Sequence, residues 1–191
     1  LGLVFGSLGA AAKLSRFRPL VLLADGYTTL LRGIPELLVI YLLFFGGGGA
    51  LRFVVQMFGY GGYVELNAFA TGVIAIGIVN GAYSTEAIRG AVLAVPKGQI
   101  EAAKAYGMPP FTMFRRILAP QVLRYALPSL GNVWQLCLKE TALISVTGLV
   151  EIMRQSTIGA GSTKQPFTFY ACAAVLYLIL TFVNAAGLFM L

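Results

Sequence analysis

The sequence predicts an all-α integral membrane protein with about five transmembrane helices, and three observations carry that prediction. Of the 191 residues, 58% are hydrophobic and only 11% are charged, whereas soluble domains carry about 25% charged residues on their surfaces. Mean hydropathy is +0.83. Phe167–Leu191 supplies 25 consecutive residues without a formal charge, where about 20 suffice to cross the hydrocarbon core as a helix.

Composition also removes several functions. The chain has no His, which excludes bis-His haem ligation, His-bearing zinc sites and Ser-His or Cys-His catalysis. Cys137 and Cys172 sit in apolar runs without CxxC spacing, so they read as buried free thiols, and no metal site is expected. The net charge of +7 marks cytoplasmic loops in a membrane chain. No basic run with interleaved aromatics accompanies it, so no nucleic-acid partner is expected.

Leu1–Ala12 is an apolar run followed at once by Lys13, Arg16 and Arg18, the pattern of a first span emerging into the cytoplasm. The first residue is Leu and the last lies inside an apolar run, so 1–191 reads as a single transmembrane domain trimmed at both termini. Pro19–Phe45 is apolar but carries Asp25, Arg32 and Glu36, and its strongest part, Leu37–Phe45, is too short to cross alone. The second span must therefore recruit residues upstream of Pro35 and is predicted to break or kink near Gly33–Pro35.

Gly46–Gly49 and the mixed stretch to Glu65 read as an external loop, without the GxxxxGK[ST] pattern of a nucleotide-binding loop. Leu66–Tyr83 contributes 18 uncharged residues to a third span, which continues through Glu86 and Arg89. Its Gly72, Gly77 and Gly81 permit close approach of a neighbouring helix. Residues 95–124 are more polar, basic and punctuated by Pro96, Pro109, Pro110 and Pro120, which places them outside the hydrocarbon. Tyr125–Val150 forms a fourth span with Lys139 and Glu140 in its second half, and Glu151, Arg154 and Lys164 lead into the fifth.

Lysine and arginine test that arrangement. One side collects Lys13, Arg16, Arg18, Arg89, Lys97, Lys104, Arg115, Arg116 and Arg124, and the other only Arg52, Arg154 and Lys164. This asymmetry puts the loop at 95–124 in the cytoplasm, the N-terminus outside and the C-terminus inside.

Within that loop, Glu101–Gly107 contains strong helix formers ending at a glycine suited to a C-cap, and Pro109–Pro110 stop simple continuation. A second short helix over Phe111–Leu118 is predicted, opened by Pro110 and closed before Pro120. The product is a helix–turn–helix on the cytoplasmic face.

These residues resemble the cytoplasmic loop of ATP-binding-cassette (ABC) importer permeases, whose pattern is Glu-Ala-Ala, three residues, Gly, nine residues, then Ile-x-Leu-Pro. Glu101, Ala102, Ala103, Gly107, Ile117 and Pro120 stand at matching positions, and Ala119 replaces the usual Leu. Arg32-Gly-Ile-Pro-Glu-Leu-Leu38, the segment around Glu86–Arg89, Gly98–Ala103 and Lys139–Leu143 are similar to the polar amino-acid branch of that family, from about Tyr27 to the C-terminus. Glu36 after the proline resembles the sub-branch serving basic amino acids and opines.

The resemblance implies a type I importer permease fold in the bacterial cytoplasmic (inner) membrane, with multiple spans surrounded by lipid. It implies that the 95–124 loop is a coupling helix seated in a groove of a cytoplasmic ATPase subunit. Physically, an Ala-Ala face permits close approach and Glu101 can make charge-assisted hydrogen bonds. It further implies a pore built with a second permease subunit, like or related, and substrate delivery by a periplasmic binding protein. The chain itself would have no catalytic site and bind no cofactor, with ATP and Mg held by the partner subunit.

Ionisable residues at membrane depth are costly and point to a pathway or a partner. Glu36, Glu86, Arg89, Lys139 and Glu140 are the candidates. Glu86 and Arg89, three apart, can pair on one helix face, whereas Lys139 and Glu140 face different directions. For a cationic substrate Glu36, Glu86 or Glu140 would offset its charge. Asn80 and Thr141, with Ser84 and Thr85, can bind polar groups of an amino acid, although hydroxyls within spans often bond their own backbone. Tyr41, Phe44, Tyr60, Tyr177 and Trp134 read as interface or packing residues. The rival function is an ion-gradient-driven secondary transporter, which the broken second span suits but which has no use for the Glu101–Pro120 pattern.

Overall fold

The computed structural model describes residues 1–47, 56–57 and 67–189, and every regular element among them is helical. In order these are α1 (Gly2–Lys13), α2 (Arg18–Gly33), α3 (Glu36–Tyr41) running into a π-helical segment Leu42–Gly46, and α4 (Ala68–Ala94). Then follow α5 (Lys97–Ala105), α6 (Pro110–Met113) with a π-helical segment Phe114–Leu118, and α7 (Ala119–Glu140). A 3-10 helix (Thr141–Thr147), α8 (Ile152–Thr163) and α9 (Pro166–Phe189) complete the chain. Gly46 still belongs to a helix. The remainder of the expected external loop, including Arg52 and Tyr60, lies outside the described residues except for Gly47, Gln56 and Met57.

Among the described residues two helices are long and apolar enough to cross a membrane by themselves, Ala68–Ala94 and Pro166–Gly187, and α2 with the helix after Pro35 makes a third if the pair counts as one broken span. Helices also lie where the first and fourth spans are expected. Of these α1 has 12 residues, too few to cross alone, and the 22-residue α7 is less apolar because Arg124, Gln135, Lys139 and Glu140 interrupt it.

The break between α2 and α3 falls where the sequence puts it, at Gly33–Pro35. Proline disfavours helical geometry in the preceding residue, here Ile34, and Pro35 itself is extended (φ −55°, ψ 131°). Its carbonyl then accepts from Leu38 N–H at 2.9 Å and starts α3.

The chain divides into two compact units, Leu1–Arg32 with Asn80–Trp134 and Gly33–Val79 with Gln135–Leu191. In the first, α1 lies directly on α4. A methyl group added at Gly6 would fall on Ser84, and one at Gly9 on Thr85. Gly81 is in turn covered by Phe5 and Tyr27, the close approach its position predicts. Lipid is as apolar as a leucine side chain, so helices in it associate through such small-residue contacts rather than through hydrophobic exclusion. The buried hydroxyls are satisfied on their own helices: Thr85 Oγ1 donates to the Gly81 carbonyl at 2.8 Å, and Thr28 Oγ1 to that of Ala24 at 3.1 Å.

In the second unit Gly72 receives the side chain of Ile144, and Gly159 lies under the ring of Phe169. Glu151 caps α8, accepting from Met153 N–H at 2.7 Å and from Arg154 N–H, which satisfies donors that the first helical turn leaves open. Tyr177 of α9 donates its hydroxyl to the same carboxylate at 3.0 Å, so one acidic side chain fixes the start of α8 and ties it to α9. Only 6% of the apolar window of α9 is buried within the chain. That corrects the reading of the thiols: Cys172, on this helix, is exposed and Cys137 half-buried. A period that shows an apolar run does not distinguish a core from a lipid-facing surface.

Candidate functional site

The loop between α4 and α7 belongs entirely to the first unit. Helix α5 starts after Pro96 and ends at Ala105, with Tyr106 as its C-cap and then Gly107 in a left-handed conformation (φ 69°). The Gly107 N–H donates to the Lys104 carbonyl at 2.9 Å and the Met108 N–H to that of Ala103 at 3.1 Å. This pair of bonds is the Schellman motif, in which a glycine beyond the helix end reverses the chain and satisfies two terminal carbonyls. A side chain with a Cβ pays for that conformation in steric strain, so glycine is required here.

Pro110 then stands at the first position of α6, where its fixed φ suits a helix and its missing N–H costs nothing. The second helix does not close before Pro120, contrary to the sequence expectation. Phe114–Leu118 forms a wide π turn in which the Ala119 N–H donates to the Phe114 carbonyl five residues back. In regular α geometry the Pro120 ring would collide with the Arg116 carbonyl four residues earlier. The wider turn moves that carbonyl aside, so the chain passes directly into α7. The Gln121 side chain also donates to the Ile117 carbonyl, at 3.1 Å.

The two alanines divide their roles. Ala103 is buried, while Glu101, Ala102, Gly107 and Pro120 are exposed and Ile117 is half-buried. The expected Ala-Ala face is thus only half available to a partner: α5 packs on the π turn, and Ala103 is used inside the loop. The exposed rim carries residues that the motif omits. Tyr106 is 90% exposed and Phe111 74%, on either side of the turn at Gly107–Pro110, with Phe114, Arg115 and Arg116 exposed beyond them. Large aromatics in a segment otherwise too polar for the membrane are the signal that could have found them, since aromatic and Arg side chains are enriched at protein interfaces.

The candidates at membrane depth fall into both units. Asn80 and Glu86 are in the first, and Glu36, Glu140 and Thr141 in the second. Glu86 is held by cations: Lys13 Nζ donates to its Oε1, and Arg89 lies 3.4 Å from Oε2. Lys13 also contacts Asp25 at 2.8 Å, so this cluster ties α1, α2 and α4 together. Nearby, the Arg32 guanidinium lies over the Tyr83 ring, 5.6 Å from its centroid, a cation–π contact.

Asn80 and Glu140 are buried, Glu36 half-buried, and Thr141 donates to the Leu138 carbonyl at 2.7 Å. Lys139 points elsewhere than Glu140, lining an open cavity of about 290 Å³ with Met153, Tyr170 and Tyr177.

Helices long and apolar enough to cross a membrane, interrupted by a more polar helix–turn–helix loop, define an integral membrane protein. The family described as "binding-protein-dependent transport system inner membrane component" matches residues 2–188, and the chain belongs to it. It is 62% identical to the nopaline transport system permease protein NocQ of Agrobacterium fabrum, over 97% of this chain and 79% of that protein. It is 44% identical to the histidine/lysine/arginine/ornithine transport system permease protein HisQ of Escherichia coli, over 96% of this chain and 80% of that one.

Among solved structures, a chain of an amino acid ABC transporter determined with histidines superposes with a TM-score of 0.83 at 33% identity, covering 99% of this chain and 83% of that chain. The inward-facing MetNI methionine ABC transporter, at 17% identity and a TM-score of 0.73 over 98% of this chain and 82% of that chain, shares the fold. The chain is therefore an ABC importer permease of all-α architecture. The ion-gradient alternative finds no support among these relatives.

Proposed function

We propose that this permease moves basic amino acids or opines inward across the bacterial cytoplasmic membrane, as a multi-pass subunit coupled through residues 95–124 to a separate ATPase. The observation that carries the coupling is the exposed aromatic rim set by the Gly107 reversal. Glu101, Ala102 and the Tyr106–Phe111 turn form the docking surface, while Ala103, Gly107, Ile117 and Pro120 give the loop its shape. Similarity to permeases of nopaline, octopine and histidine/lysine/arginine/ornithine systems supports a substrate with a cationic side chain or its derivative. A second permease subunit completes the pore and a periplasmic binding protein delivers substrate. Hydrolysis, with ATP and Mg, takes place on the ATPase, and the permease has no catalytic site or cofactor of its own. Lipid surrounds the helices, and no nucleic acid takes part.

Phe111→Asp tests the docking surface. Truncating a central interface aromatic commonly costs about 2 kcal/mol or more, so co-purification of the ATPase with this variant should fall about tenfold or more while the permease still accumulates in the membrane. Undiminished co-purification would remove the rim from the coupling surface.

For the pathway, Glu140 and Glu36 supply the negative charge, with Asn80 and Thr141 available to polar groups. Glu86 is assigned instead to the cluster with Lys13 and Arg89, because its charge is already balanced. In the reconstituted transporter, Glu140→Gln should abolish the substrate dependence of ATP hydrolysis, whereas Glu86→Gln should retain it. Retention of substrate dependence in Glu140→Gln would exclude that carboxylate from the pathway.

A further inference from the structure

Helices α1 and α2 enclose an open groove of about 320 Å³, lined by Phe5, Leu8, Ala12, Leu20, Leu23 and Tyr27 among others. At about 1.5 Å per residue, the stretch from Leu20 to Tyr27 runs about 10 Å along α2. Its lining contains no charged side chain, so it does not suit a polar amino acid and is separate from the pathway described above.

The end of the groove at Ala12 and Leu20 meets the turn that carries Arg16 and the first residue of α2, Arg18, both exposed. The neighbouring cation Lys13 is engaged by Asp25 and Glu86. Among the described residues Arg16 and Arg18 enter no ion pair. Phe17, 61% exposed, lies between them, as expected of an aromatic at the boundary between hydrocarbon and headgroups.

We infer that this groove is a binding site for an anionic phospholipid of the cytoplasmic leaflet. One acyl chain lies between Phe5 and Leu20, and the phosphate is held by Arg16 and Arg18. The apolar groove alone would not select such a ligand, because an acyl chain finds equally apolar surroundings in the bulk bilayer. Selection comes from the charge at its mouth. Arginine matches phosphate with paired N–H donors, and each basic side chain near an anionic membrane surface favours association about fivefold. An arginine pair joined to a groove on the same two helices fixes both the headgroup and one chain, where scattered cations would attract a diffuse lipid layer.

The test is native mass spectrometry of the permease, purified with its co-purifying subunits and released from nanodiscs of equal phosphatidylglycerol and phosphatidylethanolamine. The native protein should retain lipid enriched in phosphatidylglycerol by at least about fivefold. Arg16→Gln with Arg18→Gln should remove that enrichment, and Ala12→Phe, which fills the groove, should reduce the amount of lipid retained. Arg154→Gln with Lys164→Gln removes the same charge from the other side and should preserve both quantities. Should Ala12→Phe fail to accumulate, the arginine pair decides alone. Equal retention of the two lipids by the native protein, enrichment that survives loss of both arginines, or no retained lipid, as when a partner helix covers the groove, would each overturn the proposal.

Discussion

Gly107→Val is expected to reduce substrate-stimulated ATP hydrolysis in the reconstituted transporter by at least about tenfold while leaving the membrane helices folded. Gly107 has φ 69°, and its amide and that of Met108 close the end of α5. Left-handed geometry costs an L-residue about 1–2 kcal/mol, and a β-branched one more, because its Cβ substituents crowd the backbone. If the chain escapes that strain, it loses the two capping bonds, each worth about 1 kcal/mol. Either way the loop spends less time in the shape that presents Tyr106 and Phe111. Affinity for the ATPase falls in proportion to the fraction of competent loop, so about 2–3 kcal/mol corresponds to a loss of about 30- to 160-fold in apparent affinity. Gly98 is the internal comparison, since a Cβ there meets nothing within 4 Å and its φ is ordinary. Gly98→Ala should hydrolyse ATP at the native rate, and its helix should gain up to about 1 kcal/mol. Native hydrolysis by Gly107→Val would show that coupling does not depend on this reversal.

The difference between those glycines was legible in the sequence, because Gly107, unlike Gly98, is followed within three residues by two prolines. The broken second span was legible for the same reason, through Pro35 and its restriction of Ile34. Pro120 misled because a proline removes a donor and a space without specifying the backbone's response. Here the response is a π turn before it rather than a helix end, against which α5 packs. The alanine pair at 102 and 103 carries no mark distinguishing its buried member from its exposed one. That distinction requires the helix's orientation, which tertiary packing sets. At membrane depth the charges were legible as a set, but their pairing was not. The spacing of Glu86 and Arg89 predicted one contact, whereas Lys13 lies 73 residues away in sequence and only the meeting of α1 with α4 brings it near.

Lys13 consequently carries a large expected stability effect. Its side chain is only 7% exposed and contacts both Asp25 and Glu86. Removing one partner of a buried ion pair costs about 3–5 kcal/mol. The carboxylates here are less enclosed: the Asp25 side chain is 54% exposed, Glu86 is 26% exposed, and Glu86 keeps Arg89 at 3.4 Å. Discounted for solvent and the remaining cation, Lys13→Met should destabilise by about 1–3 kcal/mol, read as a lower thermal unfolding midpoint of the detergent-purified protein. Glu86→Gln should cost less, because Lys13 retains Asp25 at 2.8 Å. The double variant tests whether the residues act through one another. With Lys13 already replaced, removing the Glu86 charge should be neutral or restore part of the midpoint, giving a coupling of about 1 kcal/mol or more. Strict additivity of the two losses would mean that the contact contributes nothing to holding α1 against α4, and would return Glu86 to the candidates for the substrate pathway.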